Sequence, residues 1–258
     1  MPANDAGNTP FRFAANWRNQ QEQDYAARLE RVIAESPFSM VERLINFPMY
    51  TPRQDLTNFL IKYELFKKVL DVHGSIVECG CLFGGGLMAF AQLSAIFEPV
   101  NHTRKIIGFD TFEGFAGVSE EDSASTSAEA REGGLAIDSF EEIERCVELY
   151  DMNRSVGHIE KVELVRGDAT ETIPAYISDN PHLLVSLLYL DFDVYEPTVA
   201  ALEHFVPRMP KGAIIGFDEL NLSDWPGETV ALLERFDLNG LRIQRFPFGS
   251  TISYVVLD

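Results

Sequence analysis

Apolar residues recur at helical spacing twice in the first third of the chain, through Tyr25, Leu29, Val32 and Ile33 and again through Leu60, Ile61, Leu65 and Val69. That period predicts helices over 25–34 and 56–70. Between them, Asn46-Phe-Pro-Met-Tyr-Thr-Pro52 carries two prolines beside aromatics, which predicts an ordered irregular segment, either packed in a core or roofing a ligand. From residue 75 the pattern changes to short apolar runs at 75–80, 105–110, 161–168, 183–193 and 213–219, with helical runs at 87–97 and 198–205. The runs show little alternation, as expected of parallel strands buried on both faces. Two last runs, 241–246 and 252–257, flank Pro247-Phe-Gly-Ser250 and predict a C-terminal antiparallel hairpin. Strands alternating with helices predict an α/β fold, an open and mainly parallel sheet of seven strands with helices covering it. Residues 113–139 break the rhythm: Ser119-Glu-Glu-Asp-Ser-Ala-Ser-Thr-Ser is polar and acidic, and Gly133-Gly134 can hinge the chain. Their place after the second strand predicts an inserted lid over the ligand crevice, with a plain surface insertion as the alternative.

Length and composition fit this pattern. With 258 residues, 46% of them hydrophobic, the chain is long enough for one elaborated domain, expected over 41–258. Residues 1–40 form a polar arm and a helix, a candidate contact between copies in a homo-oligomer. The start of the chain lacks a basic and apolar leader, and no apolar stretch reaches the length of a membrane span, so a cytoplasmic location is expected. A formal charge of -19 argues against nucleic acid or an anionic membrane as partner. Three cysteines make neither a disulfide framework nor a zinc pattern, and the five histidines form no spaced metal pair.

Carboxylates close two of the apolar runs. Asp191 and Asp193 end the run 183–193, while Asp218 and Glu219 end the run 213–219. Strand ends in such a sheet open onto the ligand crevice, and neighbouring strands lie roughly 5 Å apart, so acids there can grip one hard divalent cation. Solvated acids in two loops are the alternative. Glu78-Cys-Gly-Cys-Leu-Phe-Gly-Gly-Gly86 places Gly80 and Gly84 where a strand must turn into a helix beside a ligand. The spacing is not that of a dinucleotide fingerprint, and Glu78 stands where it can meet a cationic ligand end. Asp110 ends the second strand, the position that holds ribose hydroxyls in doubly wound folds, and Asp168 ends the third, within reach of an adenine amino group. Each acid alone is explained by a helix cap or a loop. Together they favour an adenosyl ligand, with Tyr50 and Phe112 as candidate apolar walls.

Four segments together resemble the macrocin O-methyltransferase (TylF-type) family: Glu78-Cys-Gly-Cys-Leu-Phe-Gly-Gly, Asp110-Thr-Phe-Glu-Gly-Phe115, Leu188-Tyr-Leu-Asp-Phe-Asp-Val-Tyr-Glu-Pro-Thr198, and Gly216-Phe-Asp-Glu with Trp225-Pro-Gly. The resemblance runs from about Val41 to the C-terminus. It implies a Rossmann-like class I methyltransferase fold and methyl transfer from S-adenosylmethionine (SAM) to a deoxysugar hydroxyl in antibiotic biosynthesis, with magnesium or another divalent cation. A small sugar or nucleotide-sugar is the implied acceptor, the 3′-hydroxyl of TDP-rhamnose being one candidate. By the same resemblance Asp191, Asp218 and Glu219 are metal ligands, Asp193 is the general base, and Thr111 joins Glu78, Gly80, Gly84, Asp110, Phe112, Asp168 and Tyr50 around the cofactor. Glu219 departs from the family, which usually carries a second Asp there. A nicotinamide-dependent oxidoreductase and a non-catalytic SAM-binding assembly protein are the competing classes; the glycine spacing counts against the first and the clustered acids against the second.

Overall fold

A computed structural model describes residues 20–249 and 251–258. The chain divides into two compact units, one ending at Leu56 and the other covering Thr57–Asp258. Most of the polar arm, residues 1–19, lies outside the described residues. The first unit holds helices α1 (Gln20–Glu35) and α2 (Met40–Ile45), a 3-10 turn at Phe47–Met49, and the start of α3 (Arg53–Lys68). Ser39 starts α2 with a reciprocal capping box: its hydroxyl accepts from the Glu42 amide, and the Glu42 carboxylate accepts from the Ser39 amide at 2.8 Å. None of the α2 residues is buried.

The second unit is built on seven strands, β1 (Ser75–Cys79), β2 (Ile106–Asp110), β3 (Val162–Arg166), β4 (Val185–Leu190), β5 (Ile214–Phe217), β6 (Gln244–Arg245) and β7 (Ser253–Val256). They pair in the order β3-β2-β1-β4-β5-β7-β6. β1 through β5 are mutually parallel, and β7 runs antiparallel to both β5 and β6. The predicted hairpin is therefore present, but its second strand is the inner one. β6 spans two residues rather than the six of its apolar run, because an edge strand finds a ladder partner on one side only and Leu238–Gly240 turns as a 3-10 helix just before it.

Alternate strand residues enter two separate cores, the consequence of a two-residue period in a sheet covered on both faces. Ile76, Ile106, Leu187, Tyr189 and Ile214 meet Leu65 and Phe66 of α3, Leu87 and Phe90 of α4 (Gly85–Phe97), and Ile143 of α5 (Phe140–Met152). Val77, Ile107, Leu188, Ile215 and Phe217 meet Ile173 of α6 (Ala169–Asp179), Ala201 and Phe205 of α7 (Tyr195–Phe205), and Ala231 of α8 (Gly227–Arg235). Strand order reverses between β1 and β4, so the crevice for a ligand opens at the carboxyl ends of these two strands. Residues 113–139 hold neither helix nor strand. Among the described residues, no helix is long and apolar enough to cross a membrane.

Candidate active site

A cavity of about 470 Å³ sits at the strand ends of the second unit. Gly80, Asp110, Thr111, Phe112, Asp168, Asp191 and Asp193 line it, so seven of the residues singled out in the sequence share one wall. Gly80 has φ of +92°, and a Cβ there would fall 2.0 Å from the Asp191 carbonyl oxygen. Only glycine lets the turn after β1 pass so close to the turn after β4. Asp110 binds the main chain with both oxygens: Oδ2 accepts the amides of Cys81 at 2.7 Å and Leu82 at 3.0 Å, and Oδ1 accepts that of Phe112 at 2.7 Å. It thus shapes the glycine turn and its own turn together. The Thr111 hydroxyl donates to the Gly114 carbonyl at 2.5 Å, and Phe112, 2% exposed, packs edge-on to Phe140. Asp168 caps α6 through the Thr170 amide at 2.9 Å.

The 113–139 insertion supplies the other wall. Phe115, Ala116, Gly117, Val118, Ser119 and Leu135 face the same cavity. Asp122, enclosed at 5% exposure, fastens this segment: it accepts the Ser119 amide at 3.0 Å and the Tyr195 amide at 3.0 Å. The N-cap of α7, Val194, has no side chain able to cap, and Asp122 performs that task from the 113–139 insertion. Thr126 N–H donates to the Ser223 carbonyl at 3.3 Å, and the Phe115 and Trp225 rings meet at 5.7 Å.

The other predicted residues are placed differently. Glu78 is 1% exposed beneath the glycine turn and pairs with Lys62 of α3 at 3.5 Å, so its counter-cation comes from within the fold. Gly84 is the N-cap of α4, and Tyr50 belongs to the first unit, its hydroxyl 3.4 Å from Ser36 Oγ. Lys62 also places its ammonium 3.6 Å from the centre of the Tyr189 ring, and the Tyr189 hydroxyl donates to the Asp218 carboxylate. Neither Lys62 nor Tyr189 stood out in the sequence. Lys62 has a retrospective signal: it occupies the apolar stripe of Leu65, Phe66 and Val69, where a charge needs a buried partner.

Asp191, Asp193, Asp218 and Glu219 form one electrostatic cluster, joined by Glu228. Burial pushes the Asp191 carboxyl up strongly, Asp218 adds to the rise and Lys62 opposes it. Burial raises Asp193 to about 6, against a hydrogen bond from Glu219. Burial and then Asp193 drive Glu219 far above the carboxylate range. Asp193 has φ of +65°, a left-handed conformation that Asp enters more cheaply than most side chains. The donor chemistry fits a hard divalent cation: oxygen ligands only, surplus negative charge around one enclosed ammonium, and a buried oxygen without a partner, Oε2 of Glu219. As placed, however, no three such side chains among the described residues are arranged to hold a metal ion.

Comparison with known proteins decides the class. The profile of the macrocin O-methyltransferase (TylF) family matches residues 56–234. The chain belongs to this family. It is an O-methyltransferase with a Rossmann-like fold. Among solved structures, it is similar to the calicheamicin methyltransferase CalS11, at 32% identity over 99% of each chain with a TM-score of 0.89. An apo structure described as CalS11, TDP-rhamnose 3′-O-methyltransferase, matches at 33% identity over 95% of this chain and 97% of that one, with a TM-score of 0.80. The O-methyltransferase NovP shares the fold, at 20% identity over 77% of this chain and 78% of its own, with a TM-score of 0.60. No curated protein matches the chain.

Proposed function

We propose that this protein transfers a methyl group from SAM to a hydroxyl of a deoxysugar in antibiotic biosynthesis, with a nucleotide-activated sugar such as TDP-rhamnose as the acceptor class. The observation that carries this is the full-length similarity to a calicheamicin methyltransferase, together with a cavity that gathers the glycine turn and the strand-end acids. Bound SAM supplies a methyl group made electrophilic by its sulfonium. Asp168 takes the adenine amino group. Asp110 has spent three of a carboxylate's roughly four lone-pair directions on main-chain amides and keeps one for a ribose hydroxyl. Phe112 walls the donor. The lid excludes water and holds the acceptor oxygen near the methyl carbon, where contact at about 3 Å removes several kcal/mol of barrier.

Asp193 is the base. It accepts the hydroxyl proton as the oxygen–carbon bond forms and the sulfur–carbon bond breaks, the sulfur keeping the electron pair. A divalent cation held by Asp191, Asp218 and Glu219 would supply positive charge for the developing alkoxide. Glu78, paired with Lys62 at 3.5 Å beneath the glycine turn, orients the donor from that side.

Mass spectrometry of products from SAM and a panel of TDP-deoxysugars tests the function, a gain of one methyl being the expected result. Transfer to no sugar, or an absorbance change with a nicotinamide cofactor, would overturn it. Chelation with EDTA should abolish turnover and magnesium should restore it; full activity in chelator would remove the metal. We also propose that the chain forms a homo-oligomer through its first unit, where Met40, Val41, Leu44 and Ile45 are all exposed.

A further inference from the structure

Trp225-Pro-Gly leads directly into a carboxylate that no strand-end pattern contains. Glu228, in the first turn of α8, is 0% exposed; its Oε2 accepts the main-chain N–H of Glu219 at 3.2 Å, and its Oε1 has no partner. The neighbouring Thr229 hydroxyl accepts the Asn221 amide at 2.9 Å. Two successive side chains of α8 therefore grip the turn that follows β5. Gly227 sets their reach: a Cβ there would fall 2.5 Å from the Tyr195 nitrogen and 2.7 Å from the Val194 carbonyl carbon. Only glycine allows the first turn of α8 to rest on the backbone directly after Asp193. One short segment thus touches the turn carrying Asp193 and the turn carrying Asp218 and Glu219.

Burying a carboxyl among other acids to hold a single amide is costly, so the contact needs a return beyond stability. We propose, resting on the transferase function above, that Glu228 is a positioning residue: through the Glu219 amide it fixes the Asp218-Glu219 turn against Asp193 and sets where those acids meet the acceptor. An amide oxygen can make the same hydrogen bond. Glu228→Gln should therefore keep turnover within about twofold of the parent, whereas Glu228→Ala strands the Glu219 N–H and should lower kcat about 10- to 100-fold, as loss of an outer support commonly does. The Kd for SAM, set on the far side of β1, should stay unchanged in both.

Hydrogen exchange gives a readout independent of activity. Amides of residues 218–222 should exchange faster in Glu228→Ala and not in Glu228→Gln, while those of β4 keep parent rates. Parent-like turnover and exchange in Glu228→Ala would overturn the proposal, as would a Gln variant as impaired as the Ala one. If the Ala variant does not fold, Glu228→Asp, which withdraws the oxygen by one methylene, carries the same comparison. Should the parent methylate no sugar at all, the functional assignment fails, yet the exchange rates still decide whether Glu228 holds the turn.

Discussion

Two buried carboxyls show how differently the same residue type behaves in this fold. Asp193 lines the cavity on a left-handed turn, and burial raises it to about 6. Asp193→Asn keeps the shape and removes the proton acceptor, so methyl transfer should fall by at least about 100-fold while SAM affinity measured by calorimetry holds; undiminished turnover would exclude it as the base. Glu78 is raised by burial from 4.5 to about 7, with Lys62 opposing. The folded chain keeps a proton there that the unfolded chain releases, so this contribution to stability is complete below about 4.5 and is lost as pH rises to about 7. Glu78→Gln cannot titrate. Denaturant midpoints taken at about pH 5 and about pH 7.5 should differ less in that variant than in the parent; an equal difference in both would show that Glu78 is not protonated in the folded state.

Among the elements, the 113–139 insertion and α8 do more than their sequences announce. The insertion at 113–139 was legible because it interrupts the strand rhythm, and residues 114–119 with Gly134, Leu135 and Ile137 line the cavity. Its fastening was not legible. Asp122 looks like any acid in an acidic run, and only the folded chain brings it to the uncapped start of α7. Asp122→Ala should cost about 1 kcal/mol, the usual worth of a helix cap, and speed proteolytic cleavage within 113–139 without faster cleavage elsewhere. A digestion pattern identical to the parent would show that the segment is held by its remaining contacts. Likewise the C-terminal hairpin follows from two apolar runs around a Pro-Gly turn, but insertion of β7 between β5 and β6 depends on hydrogen-bond partners far apart in sequence.

At the scale of the whole molecule, the charge of -19 and the exposed apolar side chains of α2 pull in different directions. Net charge keeps copies apart, whereas Ile45 at 74% exposure and its neighbours favour burial against another surface. Ile45→Glu should lower the mass measured by light scattering from that of an oligomer to that of one chain; an unchanged mass would move the interface elsewhere.

By itself the sequence determined the alternation of strands and helices, the glycine turn, and the presence of acids at four strand ends. Those properties are local: apolar period and turn chemistry are written in neighbouring residues. Tertiary structure alone decided which acids face the cavity, which lie beneath it and which cation answers them. Asp191 and Asp193 reach the wall, Glu78 turns inward to Lys62, and Glu228 arrives from α8 to hold the Glu219 amide. These outcomes depend on which helix covers which face of the sheet and on desolvation of charges brought together from distant segments, quantities that no window along the chain contains.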